Sequence, residues 1–255
     1  MKKYFAVFVL FALFPVCGCG KLEGTLITQT FDVYDSYTSL DVSSAFDVRI
    51  DDSVDRITVV ACDELMPYIE VHVENNTLKI KTRRNKFRTG NGRKVLLPRN
   101  ANLGKVVLSG ASKFWGDIQS DRADVILSGA SKFLGDVSAE SINLNLSGSS
   151  NFEGRVDTDD LDIVLSGASR ADVVGHTISM SFNLSGASCV KSPMADRRYT
   201  LSCDNCYGEL SGASNIYLHC NEEMKIKTSG ASKVHYTGNA RLNISGDASV
   251  GKDDF

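Results

Sequence analysis

Proline is scarce, with 4 residues in a chain of 255, while glycine is frequent at 21 and apolar residues make up 42%. That balance excludes a Pro-rich or disordered low-complexity chain, because the apolar content is ample for a packed core. An excess of one charge is missing too. The formal net charge is −3 and the isoelectric point is near 5.8, which excludes nucleic acid as a bulk electrostatic partner. No apolar run reaches the ~20 residues that a membrane-spanning helix needs. The nucleophile motif G-x-S-x-G of common hydrolases does not occur. A calcium-binding nonapeptide of the G-G-x-G-x-D type does not recur either.

The amino terminus reads as a targeting segment. Lys2 and Lys3 precede an apolar stretch over residues 4–16, broken only by Pro15, which fits the h-region of a secretory signal peptide. Val16-Cys17-Gly18-Cys19 follows, and Cys19 has Val at −3 and Gly at −1, the pattern of a bacterial lipobox. The expected organisation is a lipoprotein signal peptide over residues 1–19, a linker over 20–25 and one β-solenoid domain over 26–255. Within that domain, residues 26–100 are irregular and 101–255 regular. Acylation of Cys19 would hold the protein on a membrane without a transmembrane helix. The expected location is the cell envelope, at the outer membrane or cell surface.

Internal repetition dominates what remains. Leu-Ser-Gly-Ala-Ser begins at Leu108, Leu127, Leu165, Leu184 and Leu210, and Leu146 begins the variant Leu-Ser-Gly-Ser-Ser. Thr228 and Ile244 begin degenerate copies. From Leu108 to Leu184 every step is 19 residues, and the longer step to Leu210 reads as a seven-residue insertion holding Cys203 and Cys206. Segments between copies, such as Ile142-Asn143-Leu144-Asn145-Leu146, alternate at period two and leave no helical half. The reading is an all-β fold, a parallel β-solenoid (a single-stranded β-helix) whose coils stack ~4.8 Å apart. Val106, Val125, Leu144, Ile163 and Phe182 point inward with the motif leucines. Phe114, Phe133 and Phe152 form a second inward column, continued by Ala171 and Val190. The motif itself is a corner or a tight strand bend, where Gly110 and its equivalents supply backbone freedom or a close approach that a side chain would block.

The segment before the repeats also alternates, with a hairpin turn at Asn75-Asn76, and would cap or begin the solenoid. Residues 81–94 are basic and read as a solvated loop in preference to an anion site. Phe46-Asp47-Val48, then Asn76-Thr77-Leu78-Lys79-Ile80, then the repeated Leu-Ser-Gly-Ala-Ser resemble the head GIN domain of putative auto-transporter adhesins. The resemblance covers roughly residues 25–249. It implies a Bacteroides-type lipoprotein with an adhesin role and supplies no catalytic residues.

Candidate sites are few. The residue after each motif is Lys113, Lys132, Asn151, Arg170, Cys189, Asn215 and Lys233. Stacking would align these as a polar column, which is either a solvated edge that discourages aggregation or a repetitive ligand surface for a glycan or protein. Asp117 and Asp136 lie nearby. An odd number of cysteines remains after the leader: Cys62, Cys189, Cys203, Cys206 and Cys220. A disulfide between two of Cys189, Cys203, Cys206 and Cys220 is the first reading, and buried free thiols the second. A metal is third, because Cys203-x-x-Cys206 lacks a second knuckle. No cofactor and no catalytic residue are expected, since a nucleophile occurs once whereas Ser-Gly-Ala-Ser recurs. The leading function is a non-catalytic surface lipoprotein with an adhesin-like or structural role, whose partners are a membrane and a host or bacterial surface glycan or protein. The rivals are a polysaccharide-acting β-helix enzyme and an envelope scaffold or stress-response component. Asp157, Asp159 and Asp160 are the one tight acidic group.

The anchor is directly testable. A fatty-acid analogue fed to cells should label the wild-type protein and not Cys19→Ala, which should also leave the membrane fraction. Equal labelling of the two would refute the lipobox reading.

Overall fold

A computed structural model describes residues 24–83, 92–192, 201–247 and 249–252. It is a parallel β-solenoid of about 7 turns of roughly 19 residues. Each regular coil has three sides. Lys105–Leu108, Arg122–Leu127, Ser141–Leu146 and Asp160–Leu165 stack in parallel on the first. Lys113–Trp115, Lys132–Leu134 and the start of Asn151–Asp157 stack on the second. Ile118–Gln119, Val137–Ser138 and the end of Asn151–Asp157 stack on the third.

The inward columns follow the period-two reading. Val106, Val125, Leu144 and Ile163 are fully buried beside the motif leucines Leu108, Leu127, Leu146 and Leu165. Phe114, Phe133 and Phe152 are fully buried as well, with ring centroids 5.1 and 5.2 Å apart. The column of Val106 to Ile163 changes volume further along, where Phe182 follows Ile163, and the coils adjust. Phe182 is followed in register by Gly208, and a Cβ on Gly208 would lie 2.5 Å from the Phe182 ring. The large side chain therefore occupies the space that its neighbour leaves.

The motif is the corner between the first and second sides. In the copies from Leu108 to Thr228 its glycines have positive φ, from 61° at Gly110 to 75° at Gly186. A Cβ at Gly167 would meet the Gly148 carbonyl oxygen at 2.6 Å, so the coils stack here with backbone against backbone. The Ala168 amide donates to that same carbonyl at 2.7 Å. The second serine of the motif turns inward. Ser112, Ser131, Ser150 and Ser169 are buried, and each hydroxyl donates to the carbonyl of the residue three before it at 2.8–2.9 Å. Each buried hydroxyl thus finds a partner within its own turn.

The amino-terminal third both begins and caps the stack. Ser39–Val42 pairs with Lys105–Leu108 on one edge and with Thr77–Thr82 on the other. Asp47–Ile50 likewise lies between Lys94–Leu97 and Lys113–Trp115. The chain thus lays down its second coil first and returns to add the outer one. Antiparallel strands then close the end: Ile69–Glu74 on Thr77–Thr82, and Ile57–Cys62 between Lys94–Leu97 and Leu26–Phe31. The Asn75-Asn76 turn has φ of 50° and 60°, the geometry of a tight hairpin. The last coil is built differently. Leu242 and Val250 continue the inward columns yet are 45% and 37% exposed.

The insertion before Leu210 is not where the sequence suggested. Asp172 pairs with Lys191 but Gly175 pairs with Leu201, so the extra residues fall between Lys191 and Leu201. Cys203 and Cys206 therefore belong to the coil itself, because the register with the preceding strand resumes before them, and against the following strand it shifts between Cys203 and Asn205. A denaturant series should find Phe133→Ala destabilised by ~3–5 kcal/mol through the cavity it leaves between two rings. Lys132→Ala should cost at most ~1 kcal/mol, since its bond to Glu153 is a surface ion pair. Equal effects would contradict the register.

Candidate functional site

The polar residues after each motif do form one column. Asp47, Lys113, Lys132, Asn151, Arg170, Cys189, Asn215 and Lys233 are successive register partners on the outer surface of the second side. Alternation in each short strand sets this direction, because the next residue is the inward Phe114, Phe133 or Phe152. Lys132 Nζ bonds Glu153 Oε2 at 2.9 Å, which ties two coils together.

A second outward column runs beside it, two residues on, and the sequence reading missed it. It comprises Arg49, Trp115, Leu134, Glu153, Asp172 and Lys191 in unbroken register. Tyr217 and His235 extend the same side. The Arg49 guanidinium lies 4.9 Å from the Trp115 ring centre. Tyr217 and His235 stack at 4.4 Å with rings 5° from parallel. The face therefore carries aromatic surface near both ends and charged or amide groups between. Aligning the chain at its 19-residue period would have exposed this column, but its mixed chemistry hides it from a search for one residue type.

Asp172 is the outlier of that face. It is 9% exposed, and burial raises its carboxyl above the ordinary aspartate range, an effect that Lys191 and Arg170 oppose. Its Oδ1, Asn151 Oδ1 and Trp115 Nε1 have no hydrogen-bond partner. Three unpaired polar atoms therefore share this one face.

The other candidate residues find structural work. Asp117 Oδ1 accepts from the Asp136 amide, and Asp136 Oδ1 accepts from the Arg155 amide, both at 2.9 Å. These carboxylates bridge coils where the strand between the second and third sides is interrupted. Asp157 and Asp159 line an open groove of about 540 Å³ together with Asp121 and Glu140. Among the described residues no group of three or more His, Cys, Asp or Glu could hold a metal ion. The basic segment is mostly paired where it is described. Arg83 and Lys81 reach Glu70 at 2.6 and 3.6 Å, and Arg93 donates to the Ser44 carbonyl.

The third side brings together a further polar column unseen in the sequence. Asp157, His176 and Ser202 are register partners, and His176 Nδ1 shares a 3.1 Å hydrogen bond with Ser202 Oγ. Ser202 Oγ also donates to the Gly175 carbonyl at 3.1 Å, which commits its proton to the backbone. His219 follows in register and bonds Thr237 Oγ1 at 2.8 Å.

The cysteines separate into two environments. Cys189 sits half-buried in the outward column, and burial is the main cause of its raised thiol pKa. Cys203, Cys206 and Cys220 are fully buried in the core, and these four are free thiols in the structure. Of the four residues grouped from sequence as disulfide candidates, Cys189 is thus placed apart from the rest. Cys19 lies outside the described residues, as do residues 84–91 of the basic loop.

These columns lie on the outer faces of a three-sided parallel solenoid with an antiparallel cap. The family described as putative auto-transporter adhesin, head GIN domain, matches residues 36–240, and the chain belongs to that family. Solved structures of the same fold include a putative adhesin from Parabacteroides merdae, with a TM-score of 0.76 at 17% identity, covering 90% of this chain and 98% of that one. A putative lipid binding protein from Parabacteroides distasonis has a TM-score of 0.71 at 19% identity, with 89% and 95% covered. A putative adhesin from the same species has a TM-score of 0.71 at 18% identity, with 90% and 95% covered. A comparison with curated protein sequences finds no match.

Proposed function

We propose that this chain is a lipid-anchored protein of the cell surface that works as a non-catalytic adhesin, with the second side of the solenoid as its ligand face. One observation carries the reading. Two outward columns run side by side in unbroken parallel register, one of Lys113, Lys132, Asn151 and Arg170, the other of Trp115, Leu134, Glu153 and Asp172. Neighbouring coils sit ~4.8 Å apart, so the face is a regular ladder of donors and aromatic surface. Such a ladder suits an extended chain rich in hydroxyl or acidic groups, such as a glycan. Rings of sugar can lie on Trp115 or on the Tyr217–His235 pair, while lysine, arginine and asparagine donate from the neighbouring column. The rigid sheet holds these groups in place before binding, which limits the ordering entropy lost on contact. Family membership and the fold shared with other adhesins support the same reading.

A glycan and host-protein array probed with the mature protein tests it. A triple variant, Lys113→Ala, Arg170→Ala and Lys233→Ala, should fold normally and bind any captured glycan at least ~10-fold more weakly, as losing more than 1.4 kcal/mol of contacts implies. A glycan bound equally by the triple variant, or capture of proteins only, would contradict the assignment of this face.

A further inference from the structure

The carboxy-terminal core holds three thiols that the outward face does not use. Cys203 and Cys220 are direct register partners in adjacent parallel coils, and both are fully buried. The Cys203 thiol donates to the His219 carbonyl at 3.6 Å and the Cys220 thiol to the Asp204 and Glu223 carbonyls at 3.4 and 3.3 Å, and the thiols of Cys206 and Cys220 both lie near enough to shift the titration of Cys203. Parallel partners of this kind have Cα atoms about 4.8 Å apart, inside the ~4.4–6.8 Å range that a disulfide spans. Cys206 is three residues along the same strand, Leu201–Leu210, and its register partner is Met224. The pairing shifts register between Cys203 and Asn205, and Cys206 has no cysteine across from it in the next strand, whereas Cys203 faces Cys220 directly.

We propose that Cys203 and Cys220 form a disulfide that staples two neighbouring coils, with Cys206 left as a thiol. In the cell this rests on the export reading above, since the bond needs an oxidising compartment. A thiol–disulfide oxidant supplies the chemistry. The thiolate of Cys203 attacks the oxidant's disulfide and forms a mixed disulfide as one oxidant thiolate leaves. The thiolate of Cys220 then attacks the Cys203 sulfur and expels the second. Two protons and two electrons leave the pair, and the oxidant ends as a dithiol. Timing follows from burial. In the folded, reduced protein the contact with Cys206 and burial push the Cys203 thiol far up, and the contact with Cys203 and burial do the same for Cys220. Few thiolates exist there, so the bond forms before these coils close and the folded reduced protein oxidises slowly.

The test uses the full chain in two arms. One arm isolates it from its own cells, with free thiols blocked in denaturant by N-ethylmaleimide. The other refolds the reduced chain in a glutathione redox buffer, which does not depend on export. Cleavage after Glu209 and before Asp204 separates the three cysteines for mass spectrometry. The expected product is a Cys203–Cys220 linkage two hydrogens lighter than the thiols, with Cys206 alkylated. Cys206→Ser should retain the link and Cys220→Ser should lose it. Reduction should lower the melting midpoint by about 5–10 °C, as a loop of this length implies. A bond formed on refolding but missing from cells would support the pair and overturn export. Full alkylation in both arms, or a Cys203–Cys206 link, would overturn the pair itself.

Discussion

The structure depends on how closely the coils approach at the Ser-Gly corner. At Gly148, Gly167, Gly186 and Gly212 the position a Cβ would take lies 2.5–2.6 Å from the carbonyl oxygen of the equivalent glycine one coil below. The φ values of 71–75° are themselves a left-handed conformation that a side chain penalises. Only glycine meets both conditions, and because it recurs once per coil it pins the corner of each coil over the last. Registry of the three sides follows. Leucines then fall on leucines and Phe133 falls between two rings, so burial rewards the alignment that the backbone imposes.

The same constraint explains why much of the fold was legible in the sequence. A fixed period lets positions be assigned by counting, and the leucine and phenylalanine columns come from that count together with period-two alternation. What escaped lacks a period or mixes chemistries. The outer coil interleaves with the second through the strands Thr77–Thr82 and Lys94–Leu97, and no local pattern announces that crossing. The seven extra residues were assigned to the cysteine segment because the motif spacing alone does not say where within a coil they fall. His176 and Ser202 meet only because that insertion is skipped in the register. The column of Trp115, Leu134, Glu153 and Asp172 shares no residue type, so only the geometry reveals it.

Parallel stacking also connects architecture to function. Every outward position is repeated at the strand spacing, so even an ordinary surface residue becomes part of a ladder. Some ladders are spent on the fold, as with the Asp117 and Asp136 carboxylates that accept backbone amides from the next coil. The second side is different. Its lysine, arginine and asparagine column faces solvent, and beside it Asp172 and Trp115 carry polar atoms with no partner. The antiparallel strands cover the amino-terminal end of the stack, and the repetitive flank runs along its side. The putative adhesins from Parabacteroides that share this fold are 17–18% identical to the chain, which leaves the outward residues free to differ.

The glycine corner is the claim on which the rest stands, and Gly167→Ala tests it most directly. Gly167 is exposed, so a methyl group there would ordinarily change stability by less than ~0.5 kcal/mol. The account predicts a loss of about 2–4 kcal/mol in a urea series, combining the left-handed backbone with the overlap on the Gly148 carbonyl. A variant as stable as the wild type would show that the coils do not meet at this corner, and the register built on it would fail.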